Sequence, residues 1–550
     1  MKKILKTGTL AITVLFVYLV ICCSVVSASD SSSLKVNKQK VVLYGVDSWA
    51  EQYLSIPKKY NQKFQLKVTG ATDVQYSVVN GDSVTVSSSG LIEPAYSTWY
   101  WYGGIGYSTK QGDNYDSMSS SGKYGKSVIQ VTSGKKSCLV TVIFKDYAKC
   151  YADKITDKYI EENITSSMSV KEKVDKICEF VCQYNYSASA SGRVSMIVSG
   201  GGDCWASTDT IIYMCEKLGI KAWGRNGNRD YGAGSGHRNA MVYDSKNKVY
   251  YEAEAGYSGN APRMYNVTLR KSLFSYHVKD GGIEVYQYDG PEKRTGTLKV
   301  PKKINGYTVI SIGNKFVSME DWSSISLPDT IENIGTSAFN SCTKLKTINI
   351  PKNLKTLGEF AFTNCSSIKK ITCSSSNKYF KVVKNSIYDK KVKTLLFCPS
   401  AKTLSLPGTV TEVGKYACYY NKNLKSVVIP KDVKTIGEGA FGTCESLSKI
   451  TIKGNKLTNI GAYAFYSSNV SKITFPKSVK KLGAYALGNN PLKTVTFKGS
   501  APTLGTEYDG TMYYDICSGS KPTIYIPSGN TTWTSSVKKH FGTDIKWRKK

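Results

Sequence analysis

A 23-residue period runs through the C-terminal half of the chain and constrains its fold more than any other feature. Pro328 recurs one period on as Pro351, and Pro407 as Pro430, while Pro476 follows two periods beyond Pro430. Gly335-Thr-Ser-Ala-Phe339 aligns with Gly358-Glu-Phe-Ala-Phe362, Gly437-Glu-Gly-Ala-Phe441 and Gly461-Ala-Tyr-Ala-Phe465. Three residues past each Phe stands Cys342, Cys365, Cys444 or Ser468; Cys418 takes the Phe position of its own repeat, with Asn421 where the others place Cys. Each unit reads as a strand (Leu345 to Ile350), a Pro-marked corner and a small helical turn with a buried Ala-Phe. A unit this short cannot bury a core alone and must stack on its neighbours, which predicts a solenoid over 298–500 with a C-terminal cap over 501–550. The segment from Cys373 to Ser400 breaks the period as an insertion. Cysteines a full period apart lack the close spacing of metal ligands, so they read as small buried side chains interchangeable with Asn and Ser.

The repeat pattern resembles the leucine-rich repeats of bacterial surface proteins, the BspA-like type. Charge concentrates there. Lys and Arg number 74 against 41 Asp and Glu, a net +33, and residues 301–550 alone hold 37 basic and 14 acidic residues, a net +23. An extended positive surface suits anionic cell-wall polymers, surface glycans or acidic proteins. Nucleic acid is not expected as a partner, because the chain carries export features and no recognisable nucleic-acid-binding module.

Residues 1–28 have the three parts of a signal peptide: Lys2, Lys3 and Lys6, an apolar stretch from Leu10 to Ile21, then Val26-Ser27-Ala28 before the predicted cut. The apolar stretch falls short of the ~20 residues that span a bilayer, so a secreted or cell-surface protein with no transmembrane segment after cleavage is expected. Removal of Cys22 and Cys23 leaves thirteen of the fifteen cysteines, an odd number that demands at least one thiol outside any intramolecular disulfide. Residues 34–147 alternate with period two, as in Phe64 to Val68, Val74 to Val78 and Cys138 to Ile143, which predicts a β-sandwich. Tyr76 to Val86, followed by Ser89-Gly90-Leu91-Ile92, resembles bacterial immunoglobulin-like domains; a Tyr/Gly/Ser-rich insertion, Tyr96 to Gly125, interrupts it.

Residues 149–290 are of mixed α+β type and carry the chemistry. Helices are predicted over Val170 to Tyr186 and Cys204 to Leu218, and a hairpin over Asn239 to Tyr243 and Val249 to Ala255. Gly200-Gly201-Gly202-Asp203-Cys204-Trp205-Ala206 sets a thiol between a glycine run and a helix start. There the unpaired N–H groups favour thiolate and can stabilise an oxyanion. A cysteine nucleophile generally needs an imidazole, and the chain has three: His237, His277 and His540. His540 lies beyond the repeats, and His277 is expected to have no acid in strand register. His237 enters the first hairpin strand, and the returning strand, Tyr250-Tyr251-Glu252-Ala253-Glu254, brings back an acid that can orient the ring. Glu252 and Glu254 share one face, so alternation does not choose between them.

Gly202-Asp-Cys-Trp-Ala206, Leu218-Gly-Ile220, Gly236-His237 and the aromatic strand ending at Glu254 resemble the transglutaminase-like cysteine enzymes. That resemblance implies a papain-like α+β fold with Cys204 as nucleophile, His237 as base and Glu254 as orienting acid. The family usually has Asp where this chain has Glu254, and Trp where it has Tyr250. It further implies an enzyme acting on amide bonds of a protein or peptide substrate through a thioester, ending in hydrolysis or cross-linking, with no cofactor and no metal. The alternative is a non-catalytic surface adhesin that binds through the repeats and the immunoglobulin-like segment.

Overall fold

The computed structural model describes residues 34–101, 117–188, 190, 192–226, 237–257, 264–291, 295–505 and 515–550. The expected signal peptide, residues 1–28, lies outside them, as do Gly236 and the middle of the Tyr96–Gly125 insertion. The chain divides into two compact units: Met1–Thr210 with Ala255–Tyr265, and Ile211–Glu254 with Asn266–Lys550. No helix among the described residues is long and apolar enough to cross a membrane.

The first unit opens with strands. β1 (Lys40–Gly45), β2 (Gln75–Asn80), β3 (Gly125–Ser133) and β4 (Lys136–Asp146) form one sheet in the order β1-β4-β3-β2. β3 and β4 make an antiparallel hairpin, and β1 runs parallel to β4 with Val41 opposite Val142. Alternation drives the packing. Ile129 and Val131 on β3 and Val140 and Val142 on β4 are fully buried, joined by Leu66 and by Ile92 from a small three-stranded sheet. Three helices follow, α1 (Tyr147–Asn163), α2 (Val170–Val181) and α3 (Arg193–Ser199). α2 starts where expected because Ser169 caps it reciprocally: its hydroxyl accepts from the Glu172 N–H at 3.2 Å, and Glu172 Oε2 accepts from the Ser169 N–H at 2.7 Å. It ends five residues earlier than expected, since Asn185 and Tyr186 are drawn into a parallel bridge with Gly201 and Gly202. α1 was not foreseen. Its buried residues are Tyr147, Ala148, Ala152 and Thr156, too narrow and mixed a stripe to read as amphipathic.

The second unit begins within α4 (Cys204–Lys217) and continues into a sheet in the order β5 (Lys221–Asn226), β6 (Arg238–Asp244), β7 (Val249–Tyr257), β8 (Met264–Arg270). The expected hairpin is β6 and β7, antiparallel with Met241 opposite Glu252. β9 (Phe274–Lys279) and β10 (Gly282–Tyr288) form a hairpin, and β10 pairs parallel with Tyr307–Ile312, where the repeats begin.

From there the chain winds as a β-solenoid. Strands such as Thr347–Ile350 and Lys370–Cys373 pair parallel, in register one period apart, while two-residue strands such as Asn333–Ile334 and Thr356–Leu357 build a second parallel sheet. Between them lie Ala338-Phe339 and their equivalents, buried and stacked: Phe339 on Phe362 at 5.2 Å, Phe441 on Phe465 at 5.6 Å. The predicted helical turns are non-helical, because each holds two left-handed residues, Tyr463 (φ 56°) and Ser467 (φ 50°) in one coil. The glycine of Gly-x-x-Ala-Phe is there for contact. A Cβ on Gly461 would sit 2.4 Å from the Glu438 nitrogen of the preceding coil. The Cys/Ser/Asn position is a buried donor to that same coil: Cys365 Sγ to the Phe339 carbonyl at 3.1 Å, Cys444 Sγ to Cys418 at 3.1 Å, Ser468 Oγ to Phe441 at 2.8 Å, Asn490 Nδ2 to Phe465 at 2.7 Å. One shared bond explains why three residue types alternate there. The inserted segment divides the second sheet in two, and its hairpin, Phe380–Val383 and Ser386–Asp389, begins the later part.

Candidate functional site

In the first unit the glycine run is a built feature. Gly200 ends α3 in the left-handed conformation (φ 82°). Gly202 passes so close to α3 that a Cβ would meet Met196 Cγ and Ala206 Cβ, each at 2.7 Å. Asp203 then caps α4, its Oδ1 accepting from the Ala206 N–H at 2.9 Å and its carbonyl from the Ser207 N–H at 3.0 Å. Cys204 is therefore the first residue of α4, half-buried, its carbonyl accepting from the Thr208 hydroxyl at 2.7 Å. Trp205 beside it is exposed.

In the second unit His237 lies just ahead of β6, and Glu254 is on β7. His237 Nε2 is 2.5 Å from Glu254 Oε2, with the two side chains 12% and 18% exposed. A contact this short and sheltered makes a carboxylate-held imidazole.

Glu252 belongs to a different cluster. Its Oε1 accepts from Arg225 Nη1 at 3.2 Å and Asn239 Nδ2 at 3.0 Å, and its Oε2 from Arg270 Nη1 at 2.6 Å. Asp289, fully buried, accepts from Arg225 Nε at 2.8 Å, Arg270 Nη2 at 2.8 Å, the Ser275 hydroxyl at 2.6 Å and Gln287 Nε2 at 2.7 Å. Two guanidiniums and two carboxylates balance, and the bonds lock β5, β7, β8 and the β9–β10 hairpin together. The sequence reading missed Arg225, Arg270 and Asp289. The available signal was Arg225 two residues after Trp223, a cation on the buried face of a strand.

The other histidines lie elsewhere. His277 stacks on Tyr286 with ring centres 4.2 Å apart, and an acid is in register after all: Glu284 lies opposite it. A bulge between Ser275 and Tyr276 sets that pairing, which residue spacing did not reveal. His540 sits in a short 3-10 turn, its pKa held down by burial and by Lys539. Burial raises the thiol pKa of Cys138, Cys150 and Cys373, and carries Cys215 and Cys517 to about 12. No group of three or more His, Cys, Asp and Glu among the described residues is placed to hold a metal ion.

Comparison with known proteins bears on the solenoid. No curated protein matches the chain in sequence. Among solved structures it is similar to the pneumococcal vaccine antigen PcpA, at 17% identity over 56% of this chain and 98% of that one, with a TM-score of 0.36. It is also similar to a leucine-rich repeat protein of T. pallidum (24% identity, 34% and 84% covered, TM-score 0.25). A leucine-rich cell surface protein of Faecalibacterium prausnitzii gives 17% identity, 50% and 96% covered, and a TM-score of 0.26. Residues 310–383 and 391–508 match a family profile in six copies, and on that match this part of the chain is a BspA type leucine rich repeat region.

Proposed function

We propose that the chain is a secreted or surface-held binding protein whose repeat solenoid engages an anionic surface partner. The observation that carries this reading is a column on the solenoid that holds two stacked pairs of lysines. Lys369 N–H bonds to the Lys346 carbonyl and Lys425 N–H to the Lys402 carbonyl, so exposed lysines sit directly over one another on consecutive coils. Like charges at a strand spacing of about 4.8 Å repel, and a polyanion laid along the column relieves that repulsion. The full chain is expected to bind immobilised dextran sulfate but not neutral dextran at about 0.1 M salt, and to elute by about 0.5 M as screening shortens. Lys346→Ala with Lys369→Ala should elute earlier. Retention that ignores salt would overturn the reading.

A second reading, compatible with the first, is a thiol enzyme with Cys204, His237 and Glu254 as its triad. The sheltered His237–Glu254 contact favours it. The Cys204 thiolate would attack a carboxamide or peptide carbonyl, forming a C–S bond. His237 would pass the proton to the departing amine, and water or a Lys amine would then take the acyl group from the thioester. In the native protein, iodoacetamide near neutral pH should alkylate Cys204 first, because burial disfavours the thiolates of Cys138, Cys150, Cys215, Cys373 and Cys517. His237→Ala should slow that alkylation, and equal labelling of all thiols would remove the enzymatic reading.

A further inference from the structure

Two coil boundaries in the first solenoid sheet carry no ladder, one at the inserted segment after Lys370–Cys373 and one where no insertion intervenes. Ser426–Ile429 pairs along its length with Lys449–Ile452, and Lys472–Phe475 with Thr494–Phe497, but no ladder joins Lys449–Ile452 to Lys472–Phe475. The second sheet continues across the same two coils, with Asn459 opposite Lys481 and Ile460 opposite Leu482. The coils are joined on one side and parted on the other.

The sequence supplies the cause. After Ile452 the chain has Lys453-Gly454-Asn455 where Pro430 follows Ile429, and the stretch from Gly437 to Gly461 is longer than the period by a single residue. Lys453 donates its N–H to the Ile429 carbonyl at 2.9 Å. Its counterpart one coil on, Pro476, has no N–H to give to Ile452.

The gap is a cleft of about 740 Å³ whose lining includes Lys449, Lys472, Lys498, Ser448, Ser471 and Thr451, and no carboxylate. Lys431 and Lys456 nearby are paired with Asp432 at 2.9 and 2.7 Å, whereas among the described residues no carboxylate pairs with Lys449, Lys472 or Lys498. Lys449 turns its N–H back to Lys425. By alternation, Ile450 and Ile452 turn theirs toward the cleft, and Lys472 and Thr474 face them from the other side. Ile450 and Ile452 are only half-buried, whereas their equivalents Val427 and Ile429 are fully buried.

The strand edges offer N–H and C=O groups in alternation, so an occupant must both donate and accept, as hydroxyls do. The three ammoniums call for anions. An inserted peptide strand would require the flanking strands to stand about 9.5 Å apart, against the ladder that holds the same coils together in the second sheet. We infer that the cleft binds a linear polyol polymer bearing phosphate ester groups, with hydroxyls on the strand edges and phosphates on Lys449, Lys472 and Lys498. This inference rests on the anionic-partner reading and adds an address and a chemistry to it.

The test is calorimetric titration of the full chain with a short poly(glycerol phosphate) chain, unesterified polyglycerol and poly-L-glutamate. The wild-type protein should bind the phosphate polymer more tightly than either of the others. Lys449→Gln with Lys472→Gln should weaken that binding about tenfold or more, while Lys346→Gln with Lys369→Gln should change it by about twofold or less. Equal losses in the two double variants, or poly-L-glutamate binding as tightly as the phosphate polymer, would overturn the cleft while leaving the solenoid an anion-binding surface. If the wild-type chain binds neither these anions nor dextran sulfate, the anionic-partner reading itself falls.

Discussion

Under the proposed thiol-enzyme reading, Glu254→Gln is expected to lower turnover of a carboxamide substrate by about 10²–10⁴-fold, the range seen when the acid behind a catalytic imidazole loses its charge. The carboxylate at 2.5 Å from His237 Nε2 holds the ring in one orientation, which the proposed enzyme would lose in the variant. The Gln variant should therefore slow alkylation of Cys204 by iodoacetamide at neutral pH. Glu252→Gln is the control. Its carboxylate is engaged by Arg225, Arg270 and Asn239, so this change should lower stability and leave the alkylation rate in place. Identical alkylation rates for wild type and both variants would separate Glu254 from the thiol's chemistry.

Asp289→Ala should cost about 3–5 kcal/mol of folding stability, because it leaves two guanidiniums to share the single carboxylate of Glu252. Arg225 is 1% exposed and Asp289 fully buried, so water cannot replace the lost acceptor. Trp223 Nε1 donates to the Asp289 carbonyl at 2.8 Å, so the part of the indole fluorescence that a Trp223→Phe change removes reports on this region in a urea titration. Replacing Arg225, Arg270, Glu252 and Asp289 together with apolar residues of similar volume should recover much of the loss, as removal of both signs leaves no charge uncompensated. An Asp289→Ala transition within about 1 kcal/mol of wild type would mean that solvent reaches the cluster.

Local signals were legible where they were covalently close. The hairpin of β6 and β7, the start of α2 at its Ser169–Glu172 box and the start of α4 after Asp203 follow from turn residues and caps a few positions apart. α1 escaped because its buried side is made of small and polar residues, and the left-handed residues at Tyr463 and Ser467 escaped because neither carries a glycine's signature. The Glu284 partner of His277 escaped because a single bulged residue reset the register.

The repeat by itself determined the solenoid. A coil this short, with one Ala-Phe pair, has no interior of its own, so stacking was the only way to remove those side chains from water. The period also placed the donor position of Cys365, Cys444 and Ser468, although only the stacked coils reveal that it bonds backward to a carbonyl. The choice between Glu252 and Glu254 belonged to the tertiary structure. Both lie on one face of β7, and what separates them is Arg225 from β5 and Arg270 from β8, cations that claim Glu252 and leave Glu254 to His237. The open coil boundary is of the same kind: a missing proline and one extra residue were visible in the chain, but whether they closed or parted two strands depended on neighbours folded against both sides.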